Sequence, residues 1–191
     1  MKRLFIALAM PEEALPAVIK AQEELKAAVP GAKWVDPRGA HITLKFLGSV
    51  PEETAADIVA VLDEAVGGLP AYTYAIRGLG GFPTPTRPRV VWAGIDDGGQ
   101  TAELSKPIER AMGWLGFKPE DRDFHPHITL GRVKTPRWLE KPDALAEIGQ
   151  GLEVEGLRAL DVTLFESKLS PKGATYIAIS RASLKDTTGV S

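Results

Sequence analysis

The chain of 191 residues contains no cysteine. That absence removes disulfides, thiolate nucleophiles and cysteine-based zinc sites together, and it fits a protein of the reducing cytoplasm. Excess charge of either sign is missing as well: 23 Lys and Arg stand against 25 Asp and Glu, a formal balance of -2. A chain so balanced does not coat nucleic acid through general electrostatics, so a nucleic-acid ligand needs a local basic patch. No apolar run approaches the roughly 20 residues that a bilayer-spanning helix requires. The start, MKRLFIALAMPEE, has a basic end and a short apolar run, but the run stops at Pro11, Glu12 and Glu13 rather than at a small-residue cleavage site. It reads as a first core strand, not as a signal peptide. No low-complexity linker divides the chain, and its 44% hydrophobic content suits one sizeable core or two small lobes. Histidine is scarce, with three copies.

Strands and helices alternate along the whole length. A buried strand is expected at residues 3–9, followed by a helix whose first turn holds Pro11 and two glutamates, where a missing N–H is harmless and negative charge suits the dipole. Leu15, Val18, Ile19, Leu25 and Val29 form its apolar face before Pro30 and Gly31 end it. Further strands are expected at 33–35, 41–46, 72–78, 89–95, 127–133, 153–166 and 175–181. Helices are expected after Pro51, with Ile58, Val61, Leu62 and Val66 inward, after the DDGG turn, with Leu104, Ile108, Met112 and Leu115 inward, and near 138–148. The tail from Leu184 to Ser191 reads as frayed.

The word His-Ile-Thr-Leu occurs twice, at 41–44 and at 127–130. With 11 Ile, 12 Thr and 20 Leu in the chain, a given histidine is followed by Ile-Thr-Leu by chance roughly 4 times in 10,000, so two of three histidines in this word is not noise. In a strand, alternate residues share a face, which puts His41 beside Thr43 and His127 beside Thr129, while the Ile and Leu of each word turn to the core. Two lobes packed about an approximate twofold axis bring the pairs together across a groove. Two such imidazoles suit phosphodiester cleavage. One takes a proton from the attacking oxygen and the other donates one to the departing oxygen, work that histidine's ordinary pKa of about 6.5 allows. The threonine hydroxyls can donate to the non-bridging oxygens as charge grows there.

Other residues are weaker candidates. Lys45, on the His41 face by alternation, and Arg132 and Lys134, beyond the second word, are placed to meet a phosphate backbone, with a solvated charge as the bland reading. Arg87 and Arg89 lie in the stiff segment GGFPTPTRPRVVWAG, either as phosphate contacts or as ordinary loop charges. Tyr176, after SPKGA, is placed to stack on a base or simply to pack. Phe46 is a core residue by alternation, with base stacking as the minority reading. His125 with His127 has the HxH spacing of a zinc site, but no cysteine and no evident carboxylate completes the set, so His125 reads better as a neighbour of the cleft.

Five segments in order, RLFIALAMPEE, HITLKFLG, GGFPTPTRPRVVWAG, HPHITLGR and LFESKLSPKGATY, resemble the 2H phosphoesterases, which are defined by two HxTx motifs. Within them they resemble the bacterial and archaeal RNA 2',3'-cyclic phosphodiesterases, also called 2'-5' RNA ligases. The resemblance covers nearly the whole chain, and His41, Thr43, His127 and Thr129 match without departure. It implies an α+β fold over residues 1–191, a single bilobal domain of two pseudo-symmetric lobes whose antiparallel sheets line a central cleft with helices outside. It implies hydrolysis of a 2',3'-cyclic phosphate on RNA to a 2'-phosphate without metal or cofactor, with His41 as proton donor and His127 as proton acceptor. The partners so implied are RNA with a cyclic phosphate end, tRNA fragments among them, or cyclic nucleotides, for a cytoplasmic monomer without a membrane. Two readings stay open beside it: a 2'-5' RNA ligase joining tRNA half-molecules by the same chemistry in reverse, and a non-catalytic nucleotide-binding module.

Overall fold

Strand β1 (Lys2–Ala9) shows how the sequence sorts its faces: Leu4, Ile6 and Leu8 are buried in the main apolar cluster, while Arg3, Phe5 and Ala7 lie on the opposite side of the pleat. The computed structural model describes residues 1–171 and 173–186. After β1 come α1 (Leu15–Ala28), β2 (Ala32–Trp34), β3 (His41–Val50), α2 (Ala55–Val66), β4 (Tyr72–Phe82) and β5 (Val90–Asp96). Then follow α3 (Gln100–Trp114), β6 (His127–Val133), α4 (Ala144–Gly149), β7 (Glu153–Ala159), β8 (Asp161–Ser170) and β9 (Gly173–Ser183).

The main sheet runs β7-β4-β5-β6-β3-β1-β8-β9, with β2 added beside β6, and its named pairings are antiparallel. Outward from the centre, β6-β5-β4-β7 mirrors β3-β1-β8-β9. Each central strand reaches its neighbour through a helix, β1 to β3 by way of α1 and β5 to β6 by way of α3. These are the two pseudo-symmetric lobes of an α+β fold. They meet where Ile42 pairs with Ile128, the second residue of each repeated word. Ile42, Leu44, Ile128 and Leu130 join the cluster formed with Val18 and Leu25 of α1, Ile58 and Leu62 of α2, and Ile108 and Met112 of α3. Burial of each such side chain contributes about 1.5–3 kcal/mol, and it commits the other face of β3 and β6 to the cleft.

Several elements differ from expectation. The strand expected at 153–166 is two strands, because β7 pairs with β4 in one lobe while β8 pairs with β1 in the other, and the chain changes lobe at Leu160. The helix expected at 138–148 shrinks to α4, since Pro142 disfavours helix at the residue before it. On α1 the inward stripe is Val18, Ala21, Gln22 and Leu25, and Ile19 is exposed. The tail is tied down through Lys185: Leu184 is buried, and the Lys185 backbone bonds to both Leu69 and Ala71. The rest of that expectation, from Thr187 on, lies outside the described residues. Among the described residues no helix is long and apolar enough to cross a membrane.

Candidate active site

The two repeated words share a backbone irregularity. In the β1–β3 ladder Ala7 pairs with Thr43 and Ile6 with Lys45, so Leu44 is skipped. In the β5–β6 ladder Trp92 pairs with Thr129 and Val91 with Gly131, so Leu130 is skipped. Each motif leucine is therefore the extra residue of a β-bulge, which breaks simple alternation and turns the next residues to the opposite faces. The consequence overturns two expectations. Lys45 is 4% exposed, on the core side, where its ammonium donates to Glu109 Oε1 at 2.6 Å and to the Lys118 carbonyl at 2.7 Å. Phe46 is 59% exposed and lines the cleft. The counterparts in the second word follow the same rule: Gly131 is buried, and Arg132 faces the cleft. Gly131 has no room for a side chain, because a Cβ there would stand 2.9 Å from the Trp34 ring of β2.

The Ile42–Ile128 pairing sets His41 opposite Thr129 and Thr43 opposite His127. Each imidazole is oriented in the same way. His41 Nδ1 lies 2.8 Å from the Gly39 carbonyl, and His127 Nδ1 lies 2.7 Å from the His125 carbonyl. A carbonyl only accepts, so each Nδ1 carries the proton and each Nε2 is left free. Each ring is also walled by aromatic rings: Phe5, Tyr176 and Phe165 at centroid distances of 4.7, 4.9 and 6.3 Å for His41, Phe82 and Trp92 at 5.2 and 6.2 Å for His127. That burial lowers both histidine pKa values from the ordinary 6.5, against the raising effect of the carbonyl bond, and the Arg132 charge lowers them further. His41 also feels His127 directly. Among the described residues neither the Thr43 nor the Thr129 hydroxyl has a hydrogen-bond partner, which leaves both able to donate to a ligand.

A cavity of about 520 Å³ opens on this face, and His41, Thr43, Thr129, Arg132 and Tyr176 line it. His127 does not line it but shares the strand face of Thr129, which does. Arg89 is exposed and does not line the cavity; its backbone bonds Phe82 and Val133 instead. Arg87 is spent on the neighbouring loop, bonding the Pro136 carbonyl and lying 5.9 Å over the Trp138 ring. His125 precedes β6 rather than standing in it, so the HxH strand geometry of a zinc site does not form. Its ring is exposed, and it serves the site through its carbonyl. Among the described residues no group of three His, Asp or Glu side chains is gathered about a point. Phe5, Phe82, Trp92 and Gly39 were missed by sequence reasoning, and Phe46 was assigned to the core. The available signal was the third residue after each motif threonine, Phe46 in one word and Arg132 in the other, two residues beyond a bulge that alternation does not reveal.

A family model described as LigT like Phosphoesterase matches residues 8–92 and 95–176. The chain is 37% identical to an RNA 2',3'-cyclic phosphodiesterase of Methanothermobacter thermautotrophicus, over 91% of this chain and 94% of that protein. It is 36% identical to the Archaeoglobus fulgidus protein of the same name, over 91% and 96%. A crystal structure of a Thermus thermophilus protein superposes with a TM-score of 0.78 at 30% identity, covering 97% of this chain and 99% of that one. Escherichia coli LigT complexed with 3'-AMP, at 23% identity, shares the fold with a TM-score of 0.72 over 96% and 98% of the two chains.

Proposed function

This chain belongs to the LigT-like phosphoesterase family, and from that premise we propose that it hydrolyses the 2',3'-cyclic phosphate at the end of an RNA to a 2'-phosphate by two-histidine acid–base catalysis without a metal. The observation that carries the reading is the matched pair of imidazoles, each held at Nδ1 by a carbonyl with Nε2 left free, on adjacent strands joined at Ile42 and Ile128. His127, neutral, takes a proton from water at Nε2. The oxygen of that water bonds to phosphorus as the bond from phosphorus to the 3' oxygen breaks, and His41, protonated at Nε2, gives its proton to that oxygen. Thr43 and Thr129 donate to the non-bridging oxygens, where charge grows. Arg132 supplies a fixed positive charge beside them. Among the weaker candidates, Tyr176 supports this site as a wall of His41, while the Lys45 ammonium is committed to Glu109 and the Lys118 carbonyl on the core side.

The near symmetry of the two histidines favours one secondary reading, joining of a 2',3'-cyclic end to a 5' hydroxyl by the same steps in reverse with the roles exchanged. The whole chain acts as one bilobal domain, a monomer of the cytoplasm. Steady-state turnover of a cyclic phosphate by His41→Ala and His127→Ala tests the site. Loss in both supports it, and full activity in either one defeats it. Tight binding of nucleotides with no turnover of any cyclic phosphate by the unaltered protein would make it a binding module instead.

A further inference from the structure

The pseudo-symmetry of the lobes fails beyond the motif threonines, and the failure gives the cleft a direction. Counting outward from the motif threonines, Thr43 is paired with Ala7 and Thr129 with Trp92. Two residues farther along the partner strands stand Phe5, paired with Phe46, and Val90, paired with Arg132. Two farther again stand Arg3 in the first lobe and Pro88 in the second. The first lobe thus continues from its histidine as an exposed aromatic ring and then an arginine, where the second offers an arginine and then a buried proline. The cavity follows the first arrangement: beyond Phe46 it reaches Arg3 and Ser167. Arg3 is exposed on the cleft side of β1, and among the described residues it forms no ion pair.

Resting on the reading of the site as a cyclic phosphodiesterase, we infer that Arg3 forms a second phosphate subsite, for the phosphate on the 5' side of the RNA's terminal nucleotide. A terminal cyclic phosphate at the histidines leaves one direction for the chain to leave, through the 5' oxygen of the same nucleotide. With the base against Phe46, that oxygen lies on the path to Arg3, which is four residues, about 13 Å, along the strand from Ala7 beside Thr43. A guanidinium there reads a feature that a free nucleoside cyclic phosphate lacks and any oligonucleotide has, so the subsite selects RNA ends over cyclic mononucleotides.

The test is calorimetric binding of two product-like ligands, adenosine 2'-phosphate and adenosine 2',5'-bisphosphate, to the intact protein, with turnover of adenosine 2',3'-cyclic phosphate followed in parallel. The 5' phosphate is expected to tighten binding about tenfold, the range of a charge-assisted hydrogen bond at a solvent-facing site. Arg3→Met is expected to bring that ratio close to one, and Arg3→Lys to restore part of it. Equal affinity for the two ligands in the unaltered protein, or a ratio preserved in Arg3→Met, overturns the subsite. Failure of turnover with the ratio intact instead defeats the hydrolase reading and leaves an anion subsite standing.

Discussion

A carbonyl two residues back decides which nitrogen each catalytic candidate presents. Because Gly39 and His125 supply that carbonyl through their backbones, the imidazole is the part that mutation can remove cleanly. His41→Ala and His127→Ala are each expected to lower kcat by about 10² to 10⁴-fold, the usual contribution of a positioned acid or base, with the circular dichroism spectrum unchanged. A catalytic cycle needs one neutral and one protonated histidine, and in the free protein both titrate below 6.5. The bell-shaped profile of kcat/KM should therefore peak on the acid side of 6.5. The profile of kcat should lie at higher pH, because a bound phosphate anion favours imidazolium. Comparison of the two profiles checks this, and a kcat/KM optimum well above 6.5 contradicts it. Stability carries the same sign. The unfolded chain binds these protons more readily, so stability is whole above 6.5 and is lost as pH falls below it. His41, Thr43, His127 and Thr129 were legible as candidates because a repeated word in a strand carries its own geometry. The carbonyl partners and aromatic walls were not, since they depend on tertiary neighbours.

At the scale of the element, the motif strand is a bulged strand, and that one fact exchanges Lys45 with Phe46. Alternation along His41 to Phe46 put the lysine in the cleft and the phenylalanine in the core; one skipped residue at Leu44 reverses both. Thermodynamics separates the two arrangements. Phe46→Ala should change unfolding stability by no more than about 0.5 kcal/mol in urea titration, because the ring is 59% exposed, whereas loss of a core phenylalanine costs about 3–5 kcal/mol. The same variant should raise KM for an RNA end about tenfold, as expected for lost stacking on a base. Lys45 behaves in the opposite way. Its ion pair with Glu109 ties β3 to α3, and Glu109 Oε1 also accepts from the Glu120 backbone at 3.0 Å, in the segment that leads to His127. Glu109→Ala leaves the buried lysine with the Lys118 carbonyl but no counter-charge and should cost about 3 kcal/mol, near the low end for such pairs because Glu109 is partly exposed. Bulges belong to the pairing of two strands, so neither strand's sequence announces one. The change of lobe at Leu160 was hidden for the same reason.

The whole molecule is a duplicated sheet used asymmetrically. Its two halves supply like histidines and threonines, then diverge to Phe46 and Arg3 on one side and Arg132 and Pro88 on the other. Two central strands with the same word, each preceded by a strand and a helix, made the two lobes legible. The exchange that places β7 in the lobe of β4, and β8 in the lobe of β1, was not, because long-range partner choice leaves no local pattern. A net charge of -2 gives no general attraction to a polyanion, so the few cleft arginines set the salt response. With one or two phosphate contacts, log affinity for a short single-stranded RNA should fall with log salt at a slope between about -0.7 and -1.4, and a much steeper slope would reveal a larger basic surface. The most direct test of the central claim is ³¹P NMR of the protein with a short RNA ending in a 2',3'-cyclic phosphate, in the presence of EDTA. Conversion of the cyclic signal to a 2'-phosphate monoester is predicted, lost in His41→Ala and His127→Ala. Persistence of the cyclic signal, or appearance of a 3'-phosphate in its place, would contradict the account.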